Sequence, residues 1–175
     1  APTITDDSDY VVVTAVQARL RTADGPVRVG FGTRLAVAPT TEPEESATTL
    51  AAAWVEVLSP AGPARIPAAA VGPALPLSAR SILSQGRRFL DLRYLWGGLS
   101  AWGMDCSGLI WNLFRAHGAT IPRDADPQFR SGRRVSLKRI QPADLLFWGT
   151  QKYVHHVALY VGGGKMMEAP DSSGR

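Results

Sequence analysis

At 175 residues, 45% of them hydrophobic, the chain is long enough to bury a core and has room for one domain or two small ones. It carries a formal charge of +4, one cysteine and three histidines, and no apolar run approaches the length of a membrane helix. A lone Cys excludes an internal disulfide, and one Cys with three His in no ligand-like spacing argues against structural zinc.

Residues 10–22 begin as an apolar run and end in alternation, which predicts a strand. Asp24-Gly25-Pro26 supplies a turn, and a second strand pattern covers Val27 to Val37. Residues 39–49, mostly Pro, Thr, Glu and Ser, read as a loop. A third strand is expected from Trp54 to Leu58 and a fourth near Ile66. Short strands with Gly and Pro turns and no helical pattern predict a small barrel or sandwich over residues 1–58. Five prolines between residues 59 and 78 mark a stiff linker, and a second domain is expected over 79–175.

Ser78 is a candidate N-cap, followed by Ile82, Leu83, Phe89 and Leu90 on one helical face. The chain turns at Trp96-Gly97-Gly98 and reaches Asp105-Cys106-Ser107-Gly108-Leu109. From Cys106, apolar residues at 109, 110, 113 and 114 predict a helix that stops at Gly118. Residues 120–138 read as loop, and their cluster Arg130, Arg133, Arg134, Lys138 and Arg139 reads as a solvated basic surface. Residues 79–175 hold fourteen Lys and Arg against seven Asp and Glu, a balance that suits an anionic partner. Strands are expected at 144–148, 156–161 and 165–169, the last two joined by Gly162-Gly163-Gly164. That turn and Lys165 lack the spacing and the following Ser or Thr of a phosphate loop. The chain opens on Ala with no leader pattern, so a processed form or a fragment is expected, and no compartment is written in it.

Cys106 at a helix N-terminus is where a reactive thiolate would sit, and a buried structural Cys is the alternative at this point. A nucleophile needs a base and a third group to orient that base. His117 lies eleven residues down the same helix, about 16 Å away, and is expected to cap its end. His155 and His156 are neighbours on a strand, so at most one can face the thiol. A hairpin folded about 162–164 brings Glu168 opposite residue 156 and selects His156; a one-residue slip would select His155.

Tyr94-Leu95-Trp96-Gly97-Gly98, Asp105 to Leu109, Pro122-Arg123-Asp124-Ala125-Asp126-Pro127-Gln128, Pro142 to Phe147, and His156 to Gly162 stand in an order that resembles the NlpC-type cell-wall cysteine peptidases. The resemblance covers about residues 79–170. It implies an α+β, papain-like core with the Cys heading a helix packed on an antiparallel sheet. It implies Cys106 as nucleophile, His156 as base and Glu168 as the third member. Tyr94 would line the substrate pocket, Asp105 would read a substrate ammonium or cap the helix, and Ser107, Asp124 and Ala125 would form further wall. Gly32 to Val37 and Trp54 to Val57 resemble bacterial SH3-like domains. The implied partner is a peptidoglycan stem peptide or muropeptide, met by a monomer with no nucleic-acid partner, no metal and no cofactor. The competing reading is a wall-binding module with an inactive catalytic half. Relatives carry further strands after the Glu168 position, so a C-terminally shortened domain is expected.

Overall fold

The structure, a computed structural model, describes residues 10–39 and 53–170. The stretch 39–49 expected as a loop lies, apart from its first residue, outside them. The chain divides into two compact units, residues 1–74 and 75–175.

The first unit is a seven-stranded antiparallel sheet. Its strands are β1 (Tyr10–Val13), β2 (Gln17–Thr22), β3 (Gly25–Gly30), β4 (Arg34–Val37), β5 (Trp54–Ser59), β6 (Gly62–Pro67) and β7 (Val71–Gly72), in the order β3-β2-β6-β5-β4-β1-β7. The sequence runs expected as two long strands each split in two. The break between β3 and β4 falls at Phe31-Gly32-Thr33, where Gly32 takes φ +78°, open mainly to glycine. Period-2 alternation turns Leu20, Val57, Ala64 and Ile66 inward, where they pack with Val13 and Leu35.

The proline-rich stretch 59–78 is not a linker throughout. Pro60-Ala61 make a hairpin turn, with Ser59 paired to Gly62, and Pro63 and Pro67 lie within β6. Proline's fixed φ is compatible with extended backbone, so a count of prolines does not tell a turn and strand from a spacer.

In the second unit, α1 (Ala79–Gly86) is capped by Ser78, whose hydroxyl accepts from the Ser81 N–H. Ile82, Leu83 and Phe89 are buried, whereas Leu90 is exposed, because the chain leaves α1 through a 3₁₀ turn at Arg87–Phe89. At Gly86 a Cβ would press on the Met167 sulfur. A two-stranded ribbon, β8 (Leu99–Ser100) and β9 (Gly103–Met104), leads into α2 (Cys106–Ala116). His117 closes α2 and is buried. Its Nδ1 meets the Leu113 carbonyl at 2.6 Å and its Nε2 the Ser81 hydroxyl at 2.9 Å, which ties α2 to α1.

The segment expected as loop contains a helix, α3 (Ala125–Ser131). Pro127 falls in its first turn, where a missing N–H costs no intrahelical bond. Of the basic cluster beyond, Arg130 pairs with Asp126 at 2.7 Å and Arg134 lies over the Phe129 ring. The sheet of this unit is antiparallel, ordered β10 (Leu145–Gly149), β11 (Val154–Gly162), β12 (Lys165–Met167). Helices α2 and α3 pack on β11, burying Ile110, Leu113, Val157, Ala158 and Leu159. Among the described residues no helix is long and apolar enough to cross a membrane.

Candidate functional site

Two glycines fix where α2 begins. A Cβ on Gly108 would run into the Gly98 carbonyl, and one on Gly98 would meet the carbonyls of Leu95 and Gly103. The first turn of α2 therefore packs backbone to backbone on the Trp96-Gly97-Gly98 turn, and Cys106 heads the helix. Asn112, 2% exposed, staples the contact from the next turn, its amide donating to the Leu99 and Gly108 carbonyls at 2.9 and 3.1 Å. Gly108→Ala should therefore lower stability by about 1–3 kcal/mol through overpacking, measured as a shift of the denaturant midpoint with unchanged slope.

Asp105 is the N-cap of α2. Its Oδ1 accepts from the Gly108 N–H at 2.7 Å and the Ser107 hydroxyl at 3.2 Å, and its Oδ2 accepts from the Gly97 N–H at 2.9 Å. Arg123 completes the set, with Nη1 at 3.1 Å from Oδ1 and Nη2 at 2.7 Å from Oδ2. The same Nη1 donates to the Ser107 hydroxyl at 2.9 Å. Five donors on two oxygens leave no lone pair in reserve. The capping role is thus met within the chain, and a substrate ammonium would have to displace one of these donors. Arg123 was quoted in the motif but given no role by sequence. The available signal was Asp105 itself, since a carboxylate beside a buried helix start requires a counter-charge.

Gln128, 2% exposed on α3, holds the loop that carries Arg123. Its amide nitrogen donates to the carbonyls of Ser107, Pro122 and Arg123 at 3.2, 3.0 and 3.3 Å. Asp126 binds the Val154 N–H at 3.1 Å, which joins the first turn of α3 to the start of β11. Its hydrogen-bonded neighbour Arg130 holds the Asp126 carboxyl below the usual range.

The hairpin register differs from the sequence expectation by two residues. Leu159 stands opposite Met167 and Tyr160 opposite Met166, with an irregularity before Gly162. An even offset keeps every side chain on its face. His156 Nε2 accordingly still meets Glu168 Oε2, at 2.5 Å, from one residue beyond the end of β12. The other face of β11 takes His155, which is exposed. Trp148 sits directly across from His156 on β10, their ring centres 5.4 Å apart.

His156 also has the Cys106 side chain as a hydrogen-bonding neighbour. This contact is the largest cause that raises the imidazole to about 9; burial opposes the rise, and Glu168 adds to it.

A cavity of about 510 Å³ opens beside the thiol, lined by Tyr94, Trp96, Cys106, Ser107, Asp124 and Ala125 among others. Cys106 and Ala125 are buried, and the Asp124 carboxylate, with its side chain 74% exposed, also reaches Arg123 at 3.4 Å. All eight residues singled out from the sequence fall in this unit. Six of them (Tyr94, Asp105, Cys106, Ser107, Asp124 and Ala125) line the cavity, and His156 and Glu168 join it through the thiol. His155, Tyr153 and Arg123 also line it without having been assigned there.

Residues 91–175 match the NlpC/P60 family. The chain is 47% identical over 96 residues to the gamma-D-glutamyl-L-lysine dipeptidyl-peptidase of Bacillus subtilis (strain 168), a match that covers 53% of this chain and 32% of that protein. It is 36% identical over 91 residues to the probable endopeptidase p60 of Listeria seeligeri, covering 52% of this chain and 17% of that one. Among solved structures, an NlpC/P60 family protein from Bacillus cereus superposes with TM-score 0.80 at 31% identity, over 95% of this chain and 56% of that chain. The NlpC/p60 domain of the peptidoglycan hydrolase SagA superposes with TM-score 0.52 at 31% identity, over 55% of this chain and 84% of that one. Through its C-terminal half the chain belongs to the NlpC/P60 family. It spans about a third of the length of the first curated relatives it matches.

Proposed function

We propose that the protein is a thiol peptidase that hydrolyses the γ-D-glutamyl–L-diamino-acid bond of bacterial wall peptides, the diamino acid being diaminopimelate or lysine. The observation that carries this reading is the hydrogen-bonded series Cys106, His156, Glu168 at the head of α2, beside an open cavity. A relative supports the substrate class, being a gamma-D-glutamyl-L-lysine dipeptidyl-peptidase.

In this mechanism the Cys106 thiolate attacks the γ-carbonyl carbon while the His156 imidazolium gives its proton to the leaving amine. Backbone N–H groups at the start of α2, with the Tyr94 hydroxyl, hold the developing oxyanion. Water, deprotonated by His156, then opens the thioester and restores the thiol. Glu168 keeps the imidazole oriented and favours its charged form. Asp105 acts chiefly by holding Arg123 and Ser107 against the cavity wall, and Asp124 is the carboxylate open enough to meet a substrate ammonium. Thiol chemistry of this kind needs neither metal nor cofactor. The first unit is read as an SH3-like module, and the whole as a monomer.

Incubation with L-Ala-γ-D-Glu-diaminopimelate tests the reading. Release of the dipeptide L-Ala-γ-D-Glu and free diaminopimelate is expected, with none from Cys106→Ala. Intact substrate after prolonged incubation with the wild-type protein, alongside undiminished binding by Cys106→Ala, would favour the wall-binding module instead.

The raised pKa of His156 also fixes a pH dependence. A histidine stabilised in its charged form contributes stability that is fully present below its unfolded value near 6.5 and is lost as pH rises through about 9. Thermal midpoints measured from pH 6 to 10 are therefore expected to decline on the alkaline side of that window. Turnover should share an alkaline limb near pH 9, because the neutral imidazole cannot protonate the leaving amine.

A further inference from the structure

The basic stretch that follows α3 differs from an ordinary solvated face in two respects. The first is the lack of counter-charge. Between Asp126 and Asp144 the chain carries five cations and no carboxylate. Arg130 is engaged by Asp126, and Arg134 lies over the Phe129 ring. Arg133, Lys138 and Arg139 are exposed, and among the described residues none of the three has an acidic partner within ion-pair distance. Asp144 turns elsewhere, accepting from the Gln141 N–H at 2.8 Å.

The second is the apolar content set among these charges. Leu137 opens a single 3₁₀ turn (Leu137–Arg139) and is 79% exposed, and Val135 is 44% exposed. A purely solvated loop gains nothing from a leucine in water, since the fold forgoes its burial. Both side chains line a groove of about 670 Å³ whose walls include Phe129, Ile140 and Phe147. Cations flanking exposed aliphatic groups match the interface of an anionic bilayer. Headgroups there meet the guanidinium and ammonium groups, and the acyl boundary takes the apolar side chains. A dissolved polyanion would engage the cations and leave Leu137 and Val135 in water. An apolar protein surface would cover the aliphatic groups and leave the cations unpaired.

We propose that residues 133–139 are a docking edge for an anionic lipid surface. Arg133, Lys138 and Arg139 meet the headgroups, and Leu137 and Val135 enter the boundary beneath them. None of these five residues lines the thiol cavity, so docking leaves the chemistry described above untouched and acts on where the protein is held.

Co-sedimentation of the full chain with two sets of vesicles tests this, one of phosphatidylcholine alone and one with about 30 mol% phosphatidylglycerol. Binding to the anionic set only is expected. Arg133→Gln/Lys138→Gln and, separately, Leu137→Ser should each weaken it about fivefold or more, with thermal midpoints at the parent's value. Leu137→Trp should bind more tightly than the parent, because an indole favours the interface. Cys106→Ala should sediment as the wild type does, which separates this result from the proposed activity. Equal sedimentation with both sets, or with neither, would overturn the proposal. So would a lowered midpoint in Leu137→Ser, which would give that leucine a structural role. A loss confined to the charge variant, with Leu137→Ser and Leu137→Trp binding as the parent does, would mean a bare polyanion site and also overturn it. Retention of inorganic polyphosphate without any vesicle binding would replace the bilayer by a dissolved phosphate polymer.

Discussion

Arg123→Met is expected to lower turnover of L-Ala-γ-D-Glu-diaminopimelate by at least about 100-fold and to destabilise the protein by about 3–5 kcal/mol, the usual consequence of stripping one partner from a buried ion pair. The pair is far from a surface salt bridge: Asp105 is 7% exposed and the Arg123 side chain about a quarter exposed. Without the guanidinium, the Asp105 carboxylate would keep only two backbone N–H groups and the Ser107 hydroxyl. Those donors and the positive end of α2 soften the loss, which argues for the lower part of the range. Adding Asp105→Asn removes the stranded charge, so the double variant should recover a large part of the stability. Activity should stay low in the double variant, because Arg123 also holds Ser107 and the cavity wall. A double-mutant cycle by denaturant titration measures the coupling. A coupling near zero would refute the idea that these two residues act as a unit.

His156→Ala is the second change of large effect, with an expected loss in kcat/KM of about 10⁴-fold or more, since it removes both the base for the thiol and the proton donor for the leaving amine. Glu168→Gln is the informative companion. The Gln carbonyl can still accept from Nε2, so the ring keeps its direction while losing the neighbouring negative charge. Of the contributions that lift His156 to about 9, the thiol contact is the largest and survives; the part due to Glu168 is weakened. The alkaline limb of the pH–rate profile should therefore move to lower pH in Glu168→Gln, with a smaller fall at the optimum than in His156→Ala. A profile that drops at every pH without moving its limb would assign Glu168 a packing role only.

How much of this was legible beforehand depended on which interactions carried each element. Helix α2 was readable because its signals are local: Asp105 as cap, apolar residues at three- and four-residue spacing, Gly118 past its end. Helix α3 was not, because it is only seven residues long, holds Pro127 and offers no apolar period. What anchors it is tertiary, the Gln128 amide on three carbonyls and Asp126 on the Val154 N–H. Leu90 fell out of the predicted apolar face for a related reason, as a change to 3₁₀ winding at Arg87 breaks the 3.6-residue period. In the first unit, proline count pointed to a spacer where register with β5 makes a strand. The pairing of His156 with Glu168 survived a wrong register because the error was even.

The network around Asp105 also makes a distinctive spectroscopic reporter. The amide protons of Gly97 and Gly108 come from a surface turn and a helix start, both places where exchange with solvent is ordinarily fast. Here each is bonded to the same carboxylate. The two should therefore exchange slowly and at matched rates, opening together in one event that also frees Arg123. Their common protection factor would read the integrity of the thiol's platform directly, residue by residue, in a protein with no substrate added.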